Sequence, residues 1–381
     1  MDASLPAMTP PIHWIRDDKR LLERVESIRG GSLAVDTESD SLHHYPERVC
    51  LVQLTHLGRD ELIDPLAGVD LSILAPLLSD ASLPKLFHGA DYDLRLLHRE
   101  FGLEVSGLFD TMVASRLTGE RSFGLAALLS KHFDVELDKR YQRADWSRRP
   151  LTPEMEQYAA MDTRFLEDLV DLLATELKRL GRMEWATEEF RRLEGVRFRE
   201  RNDEEPFRRV KGHGKLSAQT QAVLNRLCQF REQVARHKAR PPFRIVSDAV
   251  LLTLAARGPD DLRNFTTVQG LPRSYRSGAG AERLLRVLEE AWSLPETDWP
   301  SRVGEGRKPR RSASFEARIK DWKTRRDVIA DELHLESSIV ASRGILEGLL
   351  ERVEAGEDPS AHPDLRRWQW NLLSGFPGLS A

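Results

Sequence analysis

Two carboxylates one residue apart, Asp36 and Glu38, close the apolar run Leu33-Ala34-Val35. Side chains on a strand alternate faces, so these two point to one side and Thr37 to the other. Like charges held that close are unfavourable unless one takes up a proton or a cation sits between them. A divalent metal is one resolution; a strand that simply ends in an acidic turn is the other. Two later groups bear on the choice. In His88-Gly89-Ala90-Asp91-Tyr92-Asp93 a strand gives way to a helix. Asp91 is placed as the helix N-cap, which leaves Asp93 in the first turn, either as a partner of the helix dipole or as a group facing a ligand. From Thr152 to Asp162 the chain reads as a helix, with Thr152 as N-cap and Pro153 at the first helical position. Tyr158 and Asp162, four apart, are neighbours on one face. Ala159, Ala160 and Met161 suit that helix to packing on a sheet, so Asp162 needs a partner, since an unpaired buried carboxylate is costly. A salt bridge is the plain solution, and Arg164 is near in sequence, but two positions along it sits on a different face.

The elements that must position these groups follow from periodicity and breakers. Trp14 to Ile28 reads as a helix, ended by Gly30-Gly31 ahead of the Leu33 strand. Val49 to Leu54 and Glu61 to Asp64 read as two more strands, and such short spacings predict an antiparallel meander. Leu71 to Leu78 is a helix, Leu83 to His88 a strand and Asp91 to Phe101 a helix. Strands paired locally and then interleaved with helices indicate an α/β domain with a mixed sheet.

Together these residues carry a family resemblance. Asp36-Thr37-Glu38, His88 through Asp93, and Tyr158 through Asp162 resemble the three exonuclease motifs of the DEDD superfamily, and Tyr-x-x-x-Asp resembles its tyrosine subgroup. The likeness is to bacterial ribonuclease D, and it extends to Asp110-Thr111, to Leu137-Asp138-Lys139 and to Arg143 through Leu151. Joint occurrence in the right order is far more specific than any single motif. The resemblance implies a ribonuclease H-like fold, with Asp36, Glu38, Asp93 and Asp162 as metal-binding carboxylates and Tyr158 orienting the attacking water. Ser39 departs from the Phe that the family usually has there, in a region that contacts the terminal nucleotides. Leu42, His44 or Tyr45 would have to supply stacking instead.

The implied chemistry suits these side chains. Phosphodiester hydrolysis needs a nucleophile at neutral pH and a counter-charge for the leaving oxygen, and two hard cations about 4 Å apart supply both. Carboxylates match Mg²⁺ or Mn²⁺, whereas Cys and His clusters would point to zinc. The candidate substrate-binding residues are Leu42, His88, Arg143, Arg148 and Arg149. His88 is either a group behind the ligands or a core histidine. The basic run Lys139, Arg140, Arg143, Arg148 and Arg149 is either a solvated loop or a phosphate contact, and Trp146 within it with the third motif directly behind favours the latter.

At 381 residues the chain needs more than one core. Its 40% apolar content is ample for globular folding, and a net charge of −4 against 31% charged residues says little about partners. Cys50 and Cys228 lie far apart inside apolar runs, which excludes a disulfide framework or a CxxC metal site and fits a reducing cytoplasm. Continuous apolar segments of membrane-spanning length are missing, so the expectation is a soluble, unexported protein that engages no membrane and acts as a monomer. Lys178 to Lys215 reads as a charged helical connector. From Leu216 amphipathic helices return at Gln219 to Ala235, Val250 to Ala256, Asp260 to Phe265 and Ala281 to Trp292. Arg240-Pro241-Pro242-Phe243-Arg244 through Asp248 resembles the signature of an HRDC domain, a small helical nucleic-acid-binding module. Helices over Phe315 to Asp331, Ser338 to Val353 and Leu365 to Leu373 resemble a second, divergent copy. Trp322, Trp368 and Trp370 fall on apolar helical faces and read as core anchors rather than stacking platforms. The expected division is an exonuclease domain at 1–205, an HRDC domain at 206–300, a basic linker at 301–314 and an HRDC-like helical domain at 315–381. The expected activity is metal-dependent 3′ to 5′ hydrolysis of RNA 3′ ends, with transfer RNA precursors as the substrate class implied by the resemblance. A DNA 3′ exonuclease on the same scaffold and a non-catalytic nucleic-acid-binding protein are the alternatives.

Overall fold

The computed structural model describes residues 10–199, 204–300 and 311–379. Six strands, β1 (Ile12–Ile15), β2 (Leu33–Ser39), β3 (Val49–His56), β4 (Arg59–Ile63), β5 (Lys85–Phe87) and β6 (Leu108–Asp110), form one sheet in the order β1-β4-β3-β2-β5-β6. β2, β3 and β4 are the expected antiparallel meander, and β1, β5 and β6 join in parallel, so the sheet is mixed. All eight residues of β3 are buried, as befits a central strand covered on both faces. Val35, Val52 and Leu54 enter the main core on one face. Leu51 and Leu62 pack with Trp146, Met155 and Ala159 on the other.

Among the described residues, eight helices accompany the sheet, the first three between strands and the rest after β6: α1 (Asp18–Ser27), α2 (Ala75–Ser79), α3 (Asp91–Phe101), α4 (Thr111–Thr118), α5 (Leu125–Phe133), α6 (Pro153–Arg164), α7 (Leu166–Arg179) and α8 (Met183–Glu194). The expected helix from Trp14 is in fact a strand and then a helix. Asp17 caps α1 by accepting from the Arg20 amide, and Trp14 instead pairs beside Leu62 in β1. The charged stretch after Lys178 is more than a connector, because α8 buries Ala186, Phe190 and Leu193 in the main core. Periodicity in the sequence assigns no element at β6, α4 or α5.

The chain divides into two compact units. Among the described residues, one comprises 10–39, 49–198 and 311–379, and the other 40–48, 199 and 204–300. The second unit holds α9 (Ala218–Lys238), α10 (Pro242–Ile245), α11 (Asp248–Ala256) and α12 (Gly278–Trp292) around its own core, with Ser217 and Ser247 as helix caps. Pro259–Thr267, expected as an α-helix, is 3₁₀. Tyr45 packs against this core and its hydroxyl donates to Glu232.

The last helices, α13 (Ala313–Glu332), α14 (Ser337–Val340), α15 (Arg343–Ala355) and α16 (Arg367–Leu373), belong to the first unit. Trp322 anchors a cluster of their own, whereas Trp368 stacks on Trp185 of α8 at 4.7 Å and enters the main core. Trp370 is half-buried. Arg182 donates to the Leu117 and Leu333 carbonyls, at 2.8 and 2.7 Å, joining α4 to the end of α13. The helix expected over Ser338 to Val353 is broken at Ala341-Ser342, where Ser342 caps α15. Of the linker cations, Arg302, Arg307, Lys308 and Arg310 lie outside the described residues. Arg311 is ion-paired with Glu347 and Glu351.

Candidate active site

Asp36 and Glu38 leave the end of β2 on one face, and α6 crosses that face carrying Tyr158 and Asp162. Oxygens of Asp36, Glu38 and Asp162 lie within 4.8 Å of one another. These side chains, with His88 and Tyr158, line a cavity of about 460 Å³ whose remaining wall includes Gly124 to Ala127, Leu137, Lys139 and Gln142. Asp93 is buried and its charge acts on Asp36 and Glu38, but its oxygens are not among those that converge and it does not line the cavity. Burial, then the charges of Asp93 and Asp162, hold the Asp36 carboxyl well above the usual carboxylate range. Burial, then Asp36, does the same to Glu38. Burial also pushes Asp162 up to about 7 and Asp93 to about 6, against opposing hydrogen bonds from Tyr158 and Thr37 respectively. An all-oxygen donor set this crowded, whose members resist ionising together, matches a hard divalent cation. Burial raises the Tyr158 phenol, and the Asp162, Glu38 and Asp36 charges raise it further. It therefore stays protonated at neutral pH and donates its hydrogen to Asp162.

The supporting contacts explain why the groups stay where they are. Thr152 accepts from the Met155 amide and Pro153 starts α6, as its sequence predicts. The far end of α6 is pinned from below. Arg164 pairs with Asp60 of β4 at 2.6 Å, the Thr55 hydroxyl donates to the other Asp60 oxygen at 2.8 Å, and Thr55 and Thr163 hydroxyls meet at 2.8 Å. Arg164 thus turns away from Asp162, as its place on the helix requires. Thr37, on the face opposite Asp36, donates its hydroxyl to Asp93 and so links the first two motifs. Asp91 is not the N-cap of α3. Ala90 holds that position, and Asp91 pairs with Arg95 at 2.8 Å one turn on. The turn is secured instead by Asp110, whose carboxylate accepts from the amides of Gly89 and Ala90 and from those of Met112 and Val113 at the start of α4. Gly89 has φ +83°, and a Cβ there would sit 3.0 Å from Met112, so the turn requires glycine.

Residues 12–178 match a family model described as 3′-5′ exonuclease, and residues 220–288 match the HRDC domain. The chain is 31% identical over 364 residues to ribonuclease D of Pseudomonas paraeruginosa, covering 94% of this chain and 95% of that one. It is 34% identical over 274 residues to ribonuclease D of a Jannaschia species, covering 70% and 71%. The Escherichia coli RNase D structure, described as an exoribonuclease involved in structured RNA processing, superposes with a TM-score of 0.73. Sequence identity there is 26%, over 96% of this chain and 97% of that one. The chain belongs to the ribonuclease D family. It is a 3′ to 5′ exoribonuclease whose mixed-sheet exonuclease fold is followed by an HRDC domain.

Against that family background the substrate-binding candidates separate. His88 lines the cavity, with its Nδ1 2.9 Å from the Thr111 hydroxyl and burial lowering its pKa, so it is a wall of the site rather than a core histidine. Arg143 is exposed at the end of the 3₁₀ turn Lys139–Arg143, the turn that brings Lys139 and Gln142 to the cavity. Arg148 is exposed and reaches Asp145 at 3.4 Å. Arg149 is a correction. It donates to both Asp64 oxygens and to the carbonyls of Cys50, Trp146 and Arg148. A guanidinium has five donors, and all are taken in clamping the 146–149 loop to β3 and Asp64. Leu42 is exposed in segment 40–48, grouped with the helical unit, where the Tyr45 ring packs on that unit's core and its hydroxyl donates to Glu232. Ser39 lies 3.0 Å from the hydroxyl of the exposed Tyr92, a pairing invisible in the sequence. Among the described residues no helix is long and apolar enough to cross a membrane.

Proposed function

We propose that Asp36, Glu38, Asp93 and Asp162 hold two divalent cations, Mg²⁺ or Mn²⁺, and that Tyr158 orients the attacking water. The enzyme then acts in the cytoplasm as a monomer on the 3′ ends of structured RNAs, transfer RNA precursors among them. The observation that carries this reading is the convergence of Asp36, Glu38 and Asp162 oxygens within 4.8 Å inside a cavity that Tyr158 also lines. When bound, the cations supply a hydroxide-like nucleophile at neutral pH and a counter-charge for the leaving 3′-oxygen. The protein's own part is positional. Thr37 fixes Asp93, the Asp60–Arg164 pair fixes the end of α6, and Tyr158, permanently protonated, offers a hydrogen bond rather than a base. His88, Arg143 and Arg148 are the retained substrate contacts, with Leu42 the apolar candidate beyond β2. Residues 206–300 act as the RNA-gripping HRDC module, while 315–381 is a divergent helical copy by sequence, whose described residues 315–379 group with the exonuclease unit.

The test is incubation of 5′-labelled RNA and DNA of equal sequence with Mg²⁺, Mn²⁺ or EDTA. Stepwise shortening of the RNA from its 3′ end with either cation, and none in EDTA, is the expected result. Equal shortening in EDTA overturns the metal assignment, and faster shortening of DNA favours the alternative on the same scaffold.

A further inference from the structure

Gln53 is fully buried at the centre of the sheet, and neither its amide nitrogen nor its amide oxygen has a hydrogen-bond partner in the protein. Buried side-chain amides are nearly always paired, because an unpaired one has given up its water without a replacement. Such a group held at the heart of an enzyme therefore points to a partner of the working state. Its surroundings name that partner. On β2 it lies directly opposite Asp36, and on β4 directly opposite Leu62. Residues directly opposite in an antiparallel pair share a face, with Cβ atoms about 4.5–5.5 Å apart. Along its own strand the same face carries the aliphatic Leu51 and Thr55, whose hydroxyl is already engaged with Asp60 and Thr163. Arg164 is committed to Asp60. The Trp146 indole, which packs with Leu51 and Leu62 on this face and is likewise unpartnered, can only donate and so could serve only the Gln53 oxygen. Asp36, directly opposite, is thus the acceptor left for the amide hydrogens, and the hydrogen bond that favours its ionised form comes from the Thr37 backbone.

We propose that Gln53 is a positioning residue that donates its amide hydrogen to the Asp36 carboxylate when the cluster holds its cations. This rests on the metal assignment above. A ligating carboxylate is ordinarily oriented by a donor behind it, and loss of such a donor costs about 10–100-fold in metal affinity or activity. Gln53 is placed to be that donor, and its opposition to Asp36 across the strand pair keeps it there through turnover.

The experiment is calorimetric titration of Mn²⁺ into the full chain, comparing wild type, Gln53→Leu, Gln53→Met and Asp36→Asn, with kcat and KM on a short RNA measured for each. Gln53→Leu and Gln53→Met are expected to bind Mn²⁺ about 10–100-fold more weakly and to lose kcat with KM little changed. In EDTA their melting temperatures should equal or exceed that of wild type, because an unpaired buried amide has been removed. A purely structural amide, satisfied by an internal water, predicts the opposite pattern of unchanged Mn²⁺ affinity and kcat with a lowered melting temperature, and that result overturns the proposal. If Gln53→Leu fails to fold, the Met variant, which keeps the length of the side chain, carries the test. Asp36→Asn separates the two levels of inference. Wild-type Mn²⁺ binding lost in Asp36→Asn but intact in both Gln53 variants rejects the role of Gln53 alone, whereas wild type with no saturable Mn²⁺ binding rejects the metal assignment and the role of Gln53 with it.

Discussion

Asp36→Asn removes one of the crowded charges without changing shape, so it should abolish hydrolysis while leaving the metal-free fold as stable as wild type or slightly more so. An activity assay beside a melting curve in EDTA checks both halves, and full activity would sink the metal assignment. The same crowding gives a pH dependence with a definite sign. Burial raises Asp93 to about 6 and Asp162 to about 7, and both Asp36 and Glu38 are raised, so between about pH 4 and pH 7 the folded chain binds more protons than the unfolded one. Stability from these groups is therefore fully present below pH 4 and is lost as pH rises through 6 and 7. Melting curves in EDTA should show the carboxylates' share of stability falling from pH 5 to pH 7.5. Asp162→Asn should flatten the trend, and Mg²⁺ should restore stability at the upper end. An Asp162→Asn variant with the wild-type pH trend would remove Asp162 from this account. Tyr158→Phe deletes a donor that never ionises at these pH values, so kcat should fall on the order of 10²-fold with KM little changed. Equal kcat under conditions where chemistry limits the rate would reject the role of the hydroxyl. At this scale much was legible, because strand alternation puts Asp36 and Glu38 on one side and helical spacing joins Tyr158 to Asp162. Thr37 and Arg149 were not, since their partners Asp93 and Asp64 lie far along the chain, and the placement of Gln53 opposite Asp36 follows from a strand register that periodicity does not fix.

Helix α6 must hold Asp162 in place, and the clamp that does so is the buried Arg164–Asp60 pair with Thr55 and Thr163. Removing one member of a buried pair strands the other charge, at a cost of about 3–5 kcal/mol. Arg164→Met should lower stability by that amount and lower kcat as well, while Arg164→Met with Asp60→Asn should recover part of the stability because no charge is then stranded. Urea denaturation of the three proteins decides it, and a double variant less stable than Arg164→Met would contradict the stranded-charge account. The elements themselves were readable in proportion to their length and punctuation. β2, β3, α3 and α6 carry clear periods or caps, and the structure places them close to the expected bounds. β1 and β6, of four and three residues, are too short for a period to register. β1 merges by pattern with the helix that Asp17 in fact starts. The misassigned cap at Asp91 has the same origin as the missed β6, because the residue that secures the turn, Asp110, sits at the end of that strand and reaches back about twenty positions.

Over the whole chain the division of labour differs from a simple split between a catalytic half and a binding half. Truncation near Lys215 removes Trp368 as well as the HRDC helices, and Trp368 stacks on Trp185 and belongs to the core that also holds Val35 of β2. Such a truncation should therefore destabilise the exonuclease unit itself and cannot isolate RNA grip from chemistry. Substitutions in the intact chain can. From the end of α9 through α10 the exposed Lys238, Arg240 and Arg244 lie within five residues of Phe243, which is 54% exposed, so the stretch combines basic groups with an open aromatic ring. This is the combination that binds single strands by phosphate contact and base stacking. Changing Lys238, Arg240 and Arg244 to Ala, in a chain carrying Asp36→Asn so that RNA survives, should weaken binding of long RNA. It should also reduce the slope of log K against log salt by roughly 0.7 for each phosphate that is no longer neutralised. With Asp36 intact, the same three substitutions should leave cleavage of a short oligonucleotide near the wild-type rate, because none of the three lines the catalytic cavity. Identical affinities and salt slopes would assign RNA grip to the exonuclease unit and leave the helical unit with some other partner.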